Sequence, residues 1–221
     1  MITIHLDPLE GLFIEEKENG RSVRKYINFE DLEEIFKRNV NLDTGILPKD
    51  CIYYSRENGN TIVVMQREPQ KTEISYHKRG TSEIQKYTVP TPYSIFGFLV
   101  RERRIVESFL VASQMPILEM TTEVYRFPFG NVFNNFRICW GRTTLPTIRS
   151  PRFLAGLPNL FYTAPFNGDL SEDIFRDYHY ERYNLEHFFN ELNGREFFPY
   201  NKMLPAGTFG DFLHEIRRSA R

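Results

Sequence analysis

Between residues 51 and 112 the chain alternates between apolar stretches of strand length and short turn signals. The turn signals are Asn-Gly and Arg-Gly pairs and the charged run Arg101–Arg104. Such turns join neighbouring strands into antiparallel hairpins. We therefore predict three consecutive hairpins, formed by residues 51–54 with 61–66, 72–78 with 84–89, and 93–100 with 105–112. A long antiparallel meander of this kind is expected at the centre of the fold.

The residues before this meander predict an N-terminal appendage. Residues 12–16 and 22–27 have strand character and flank Glu18-Asn-Gly-Arg21, which favours a hairpin turn. Asn28 is typical of a helix N-cap, and apolar residues then recur at helical spacing over residues 29–39. We predict that residues 1–48 form strands and a helix that pack on or extend the core, and that residues 49–221 form the main domain.

Helices are predicted mainly near the C-terminus. Prolines at 146, 151, 158 and 165 exclude a long regular helix between residues 142 and 165. Ser171 can cap a helix that continues to Tyr178, another helix is predicted over residues 180–193, and a last one runs from Phe209 to the basic pair Arg217-Arg218. The predicted fold class is α+β, an antiparallel β-meander flanked by helices with an N-terminal extension.

The charge balance excludes two classes of partner. Lysine and arginine number 28 against 29 acidic residues, a net charge of −1, which gives no electrostatic basis for binding nucleic acid or an anionic membrane surface. No apolar run reaches transmembrane length, and the first residues do not resemble a signal peptide. The two cysteines do not form a disulfide framework, and we expect a reducing, cytoplasmic location. The sequence does not indicate an oligomeric state.

The segment from Phe127 to Gly141 carries the residues best suited to chemistry. It contains Cys139 beside the only tryptophan, and Asn131 lies eight residues before that cysteine. A thiolate is a nucleophile, and a side-chain amide can stabilise an oxyanion that forms on an acyl group. Cys139 and Asn131 are therefore candidate catalytic residues if the loop folds back on itself. The alternative is a buried, inert cysteine and an asparagine that only forms a turn.

This segment resembles the active site of ubiquitin-conjugating enzymes, in which His-Pro-Asn-Val-Tyr precedes Gly-x-Val-Cys-Leu at the same spacing. Asn131 falls on the asparagine and Cys139 on the thioester-forming cysteine. Apolar positions are matched by Val132, Phe133 and Ile138, whereas Phe129, Gly130 and Phe136 depart from the histidine, the proline and the glycine. A closer similarity is to the divergent bacterial branch associated with PRTRC plasmid systems, whose protein B lacks that histidine. Its pattern is matched by Pro128, Phe129, Asn131, Val132, Cys139 and Gly141.

The resemblance implies a ubiquitin-conjugating-like fold and a carrier function. Such a protein accepts a ubiquitin-like modifier from an adenylating, ThiF-like activating enzyme as a thioester on Cys139 and transfers it to an amine. The family also has an acidic or polar residue beside the cysteine that assists deprotonation of the attacking lysine. By position Asp169 is the candidate, with Asn167 behind it; a simple turn and helix cap in this stretch is the alternative. The missing histidine keeps a second function open, a non-catalytic binding or scaffold protein with the same fold.

Other kinds of site have weaker support. His179, His187 and His214 lack the short spacings of a zinc site, and no phosphate-binding glycine loop is present. We therefore expect no metal and no cofactor. A cysteine hydrolase would need a histidine base beside Cys139. Because all five histidines are distant from Cys139 in the sequence, the sequence neither supports nor excludes that third function.

Overall fold

The computed structural model describes residues 2–7, 11–18, 21–28, 30, 44–57, 59–78, 80–179 and 182–220. The chain divides into two compact units, Met1–Thr44 and Gly45–Arg221. The helix predicted over residues 29–39 lies outside the described residues, except for residue 30.

The first unit contains a three-stranded antiparallel sheet in the order β1-β2-β3. Its strands are β1 (Ile2–Asp7), β2 (Gly11–Glu18) and β3 (Arg21–Tyr26). The pairing of β2 with β3 confirms the predicted hairpin. Phe13 is buried, and its ring stacks on His5 at 4.8 Å and contacts Tyr26 at 5.6 Å.

The second unit is built on a six-stranded antiparallel sheet in the order β11-β10-β9-β8-β5-β4. The strands are β4 (Cys51–Glu57), β5 (Asn60–Arg67), β8 (Tyr93–Arg101), β9 (Arg104–Ser113), β10 (Glu123–Arg126) and β11 (Pro205–Thr208). The pairings β4–β5 and β8–β9 confirm two of the predicted hairpins. Buried residues dominate β5, β8 and β9, so these strands form the centre of the sheet.

The remaining predicted hairpin, residues 72–78 with 84–89, also forms. The prediction of one continuous meander, however, is wrong. Strands β6 (Lys71–His77) and β7 (Ile84–Pro90) pair only with each other as a separate two-stranded sheet. β5 instead pairs with β8 along its whole length, so the hairpin is not inserted between these two strands. Prolines at 69, 90 and 92 mark the points where the chain leaves and re-enters the large sheet, because proline cannot donate a ladder hydrogen bond.

Three α-helices follow in the described part of the chain: α1 (Leu157–Thr163), α2 (Leu185–Leu192) and α3 (Phe209–Ser219). A 3₁₀ turn over Pro151–Gly156 precedes α1, in keeping with the proline-rich sequence. The helix predicted over residues 180–193 begins later than expected, at Leu185, where the side chain of Asn184 caps it. Helix α3 is confirmed and begins with a capping box between Thr208 and Asp211.

The prediction of a helix that starts at Ser171 is wrong. Residues 171–178 form turns, with left-handed backbone at Asp173 and Asp177. The Ser171 hydroxyl donates to the carbonyl of Gly168 and does not cap a helix. The segment is instead tied to a distant part of the chain, since the N–H of Arg176 donates to the carbonyl of Lys202 at 2.6 Å. Tertiary contacts here outweigh the local helical pattern.

Two apolar clusters cover the two faces of the large sheet. On one face α3 packs Phe212, Leu213 and Ile216 against β5 and β8. On the other, α1, α2 and the chain around residue 129 form an aromatic cluster with Phe96 and Phe98. The architecture is thus mixed α and β with antiparallel sheets and few helices, as the predicted fold class requires. None of the helices in the described ranges has the length and apolar character needed to span a bilayer.

Candidate functional site

The segment from Phe127 to Gly141 folds back on itself against the edge of β9. The N–H of Leu110 donates to the carbonyl of Phe136, and the N–H of Ile138 donates to the carbonyl of Ser108, each at 2.8 Å. The N–H of Cys139 in turn donates to the carbonyl of Asn131 at 2.8 Å. A backbone hydrogen bond thus directly links the two candidate catalytic residues.

Left-handed backbone makes this fold-back possible. Gly130 has φ +83°, Asn131 has φ +55° and Phe136 has φ +68°. Glycine adopts this region without strain, and asparagine tolerates it better than most residues. Phe136 stands where ubiquitin-conjugating enzymes have glycine, and its ring packs on Phe212 at 6.3 Å between centroids. The sequence departure at Phe136 therefore preserves the conformation that favours glycine.

Phe129 anchors the start of the segment. Its side chain is fully buried and contacts the rings of Phe127, Phe166, Phe188, Phe189 and Phe198, at centroid distances of 5.4 to 6.3 Å. The position that holds histidine in ubiquitin-conjugating enzymes is here the centre of an aromatic cluster. Packing therefore fixes the segment at this point.

Trp140 anchors the other end. Its indole Nε1 donates to the Ser108 hydroxyl at 2.6 Å, and its ring meets that of Phe161 edge-on at 6.0 Å. Ser108 also accepts the backbone hydrogen bond from Ile138. The chain on either side of Cys139 is therefore attached to β9, while the thiol itself is half-buried and free.

The Asn131 side chain is buried and engaged with another part of the chain. Its Nδ2 donates to the carbonyl of Pro165 at 3.0 Å, and only 8% of the residue is exposed. A primary amide carries two N–H donors, so this contact uses one of them and holds the amide in position. The contact with Pro165 had no signal in the sequence, because the two residues are far apart in the chain.

One cavity of about 800 Å³ brings the predicted site residues together. Cys139, Asn131 and Asp169 all line it, and so does Asn167. The other lining residues are His77, Trp140, Gly141, Arg142, Thr143, Ala164, Pro165 and Leu170. Asp169 is exposed, and its N–H donates to the side chain of Asn167 at 3.0 Å, which forms the turn that was the alternative interpretation of this stretch.

His77 is a lining residue that the sequence did not identify. It ends β6, far upstream of Cys139. Its N–H donates to the carbonyl of Phe166 at 2.7 Å, and the N–H of Phe166 donates to the carbonyl of Ser75 at 2.8 Å. This short parallel pairing brings β6 beside Pro165. Because the paired residues are far apart in the chain, no local sequence pattern indicates the pairing.

A second cavity, of about 570 Å³, lies next to the first. The two share Asp169 and Leu170 as lining residues. Phe133, which is 44% exposed, lies on the wall of this second cavity with Asn134 and Glu172. Asp169 thus stands at the boundary between the two cavities.

The other cysteine differs in its surroundings. Cys51 donates from Sγ to the carbonyl of Tyr53 at 3.4 Å, and burial raises the pKa of its thiol, an effect that this hydrogen bond partly offsets. In the part of the chain that the structure describes, no group of three or more His, Cys, Asp or Glu side chains is arranged to hold a metal ion. Cys139, in contrast, lines a cavity together with the polar residues Asn131, Asp169 and His77.

Comparison with known proteins identifies one family. The family model for prokaryotic E2 family D matches residues 30–206, a range that includes every residue lining both cavities. No curated protein and no solved structure matches the chain.

Proposed function

The chain belongs to prokaryotic E2 family D, and from that membership we propose that it carries a ubiquitin-like modifier as a thioester on Cys139. Family membership points to a carrier in ubiquitin-like conjugation and to a modifier and an activating enzyme as its general partners. The finer parts of the proposal are the thioester at Cys139, an adenylating ThiF-like enzyme as donor and an amine as acceptor. The mixed α and β architecture is compatible with an E2-like fold, and the motif from Pro128 to Gly141 supports the branch associated with PRTRC systems.

In the first step the Cys139 thiolate attacks the carbonyl carbon of a thioester that joins the modifier's C-terminal glycine to the activating enzyme. A new carbon–sulfur bond forms and the enzyme's sulfur leaves as a thiolate. Because a thioester is already activated, this exchange requires neither ATP nor a metal on the carrier. The protein contributes by holding the reacting groups together.

In the second step an amine nitrogen attacks the same carbonyl carbon. The oxygen becomes negative in the tetrahedral intermediate, and the carbon–sulfur bond then breaks to release Cys139. The second N–H of the Asn131 amide is the proposed donor to that oxygen. A positioned donor of this kind typically contributes on the order of 10²- to 10³-fold in rate.

Asp169 is the proposed residue that attracts the acceptor. An exposed carboxylate in the lining of the cavity favours the approach of a cationic lysine side chain. Its position at the boundary of the two cavities is compatible with an acceptor segment that lies in the second cavity and extends its amine toward Cys139.

The observation that carries the proposal is the joint placement of the half-buried Cys139 thiol and the Asn131 amide in one cavity. The test uses a synthetic thioester of a peptide that ends in glycine, since a thiolate can displace its leaving group without an activating enzyme. We expect a thiol-reversible adduct, detected by intact mass, that maps to Cys139. The Cys139→Ala variant should lose it, Cys51→Ala should keep it, and Cys139→Ser should form at most a thiol-resistant ester.

Failure of the folded protein to form an adduct, or equal labelling of Cys51, would refute the carrier proposal. The second candidate function is then a binding or scaffold protein with the same fold. One observation favours that candidate: the Asn131 amide is already hydrogen-bonded to Pro165, as in a purely structural contact. A Cys139 thiol that remains unreactive until the chain is unfolded would support it.

A further inference from the structure

We propose that His77 is a catalytic residue, the group that accepts the proton of the amine attacking the Cys139 thioester. The inference rests on the proposed carrier function and assigns a further residue to the second step. It starts from the cavity, in which His77 is the only histidine among the described lining residues.

The backbone around His77 holds it beside the Asn131 contact. Phe166 pairs with Tyr76 in a parallel bridge, flanked by the hydrogen bonds from Phe166 to Ser75 and from His77 to Phe166. The residue before Phe166 is Pro165, whose carbonyl accepts the hydrogen bond from Asn131. One short segment therefore fixes the proposed oxyanion donor on one side and the end of β6 on the other.

The His77 side chain is half-buried and has no hydrogen bond to hold its imidazole ring in the described part of the chain. Among the described residues it makes neither a hydrogen bond nor an ion pair. The remaining histidines are elsewhere: His5 stacks on Phe13 in the first unit, and His179, His187 and His214 are exposed and do not line the cavity. A histidine that lines the cavity of a nucleophile, and whose ring has no hydrogen-bond partner among the described residues, is suited to proton transfer.

The second step needs such a group. A lysine amine is protonated at neutral pH and cannot attack until it loses a proton. Histidine is the side chain that most readily both accepts and releases a proton near neutrality. In the proposed step the ammonium proton passes to the imidazole, and the free amine forms the carbon–nitrogen bond. The nitrogen, now positively charged, loses its second proton to water, and the carbon–sulfur bond breaks to leave a neutral amide. The imidazolium then returns a proton to the departing Cys139 thiolate or to water.

The test measures single-turnover discharge of Cys139 after loading with the glycine-ended peptide thioester. Two nucleophiles are compared, free lysine and hydroxylamine, because hydroxylamine is unprotonated at neutral pH and needs no deprotonation before it attacks. We expect His77→Gln to load normally, to slow discharge to lysine by on the order of 10²-fold, and to leave discharge to hydroxylamine nearly unchanged. The matched control is His214→Gln, an exposed histidine on α3 that should behave as wild type.

A second variant separates chemistry from folding. Free imidazole should restore discharge to lysine in His77→Ala, which a merely structural defect would not allow. An unchanged lysine rate in His77→Gln, equal slowing of both nucleophiles, or no rescue by imidazole would overturn the role of His77 and leave the carrier function standing. Absence of any adduct on the wild-type protein would instead overturn both.

Discussion

Asn131 donates a hydrogen bond from its side-chain amide to the carbonyl of Pro165, at 3.0 Å, and so ties the segment before Cys139 to the segment after α1. Both segments line the same cavity. The contact means that one side chain has a structural role and a proposed catalytic role, and the two can be measured apart.

The first prediction concerns Asn131→Gly, which is compatible with the left-handed backbone at φ +55° and removes the side chain with its amide. We expect discharge of loaded Cys139 to slow by about 10²- to 10³-fold and the free energy of unfolding to fall by about 1 kcal/mol. Single-turnover kinetics and urea unfolding measure the two effects. The control is Asn190→Ala, an exposed residue of α2 that lines neither cavity. A loss of stability with unchanged discharge would make Asn131 structural only.

The second prediction concerns the order in which the cysteines react. Burial raises the pKa of Cys51, and a raised pKa reduces the thiolate fraction at a given pH. Cys139 lines a cavity of about 800 Å³. We therefore expect iodoacetamide to label Cys139 before Cys51 in the folded protein, as measured by peptide mapping, and the difference to disappear in urea. Labelling of Cys51 first would contradict the proposed accessibility of Cys139.

The third prediction tests Phe129 as a packing anchor. Phe129→Ala should lower the free energy of unfolding by about 3–5 kcal/mol, because it removes a fully buried ring. Phe133→Ala, in the same segment but with a 44% exposed side chain, is the matched control and should change stability far less. Urea unfolding of both variants decides the matter; similar losses would show that the segment does not depend on the aromatic cluster.

The fourth prediction compares two glycines with left-handed backbone. Gly130 and Gly194 have φ values of +83° and +78°, so alanine costs about 1–2 kcal/mol at either position. A Cβ on Gly130 would also lie 3.2 Å from the carbonyl oxygen of Asn167, whereas one on Gly194 would meet nothing within 4 Å. Gly130→Ala should therefore lose more stability in urea unfolding than Gly194→Ala. Equal decreases in the free energy of unfolding would show that the backbone at Asn167 can move away from the added Cβ without cost.

The fifth prediction is a pH dependence at the start of α3. The backbone N–H and hydroxyl of Thr208 donate to the Asp211 carboxylate and lower its pKa. Since the folded-state pKa is depressed, the carboxylate stabilises the fold above the unfolded-state pKa, and this contribution is lost as pH falls through the folded-state pKa. Asp211→Asn should be less stable than wild type at neutral pH, and the gap should close in acid. Urea unfolding across that range measures it, and a gap independent of pH would be the contrary result.

Local signals were sufficient for much of the fold. The Asn-Gly and charged turns correctly gave the pairings β4–β5 and β8–β9, and α3 follows from its cap and apolar spacing. The detached β6–β7 hairpin and the absence of a helix after Ser171 depend on contacts between distant residues, such as Arg176 with Lys202. Patterns of near neighbours carry no information about such contacts.

The candidate site also combines residues that local sequence signals identify with residues that only long-range contacts bring in. The spacing from Asn131 to Cys139 and the turn at Asp169 are local, so motif and resemblance could identify these residues as candidates. His77 reaches the cavity only because Phe166 pairs with β6, and the partner of the Asn131 amide is the carbonyl of Pro165. Backbone carbonyls have no sequence signature, and a lone histidine on a strand has none either.

The parallel bridge between Tyr76 and Phe166 attaches the β6–β7 hairpin to the segment that follows α1. His77, at the end of β6, therefore lines the same cavity as Cys139 although it lies far from it in the chain. A change in the length of that hairpin would therefore reshape the cavity beside Cys139 and shift His77 with it, without replacing any residue of the segment from Asn131 to Cys139.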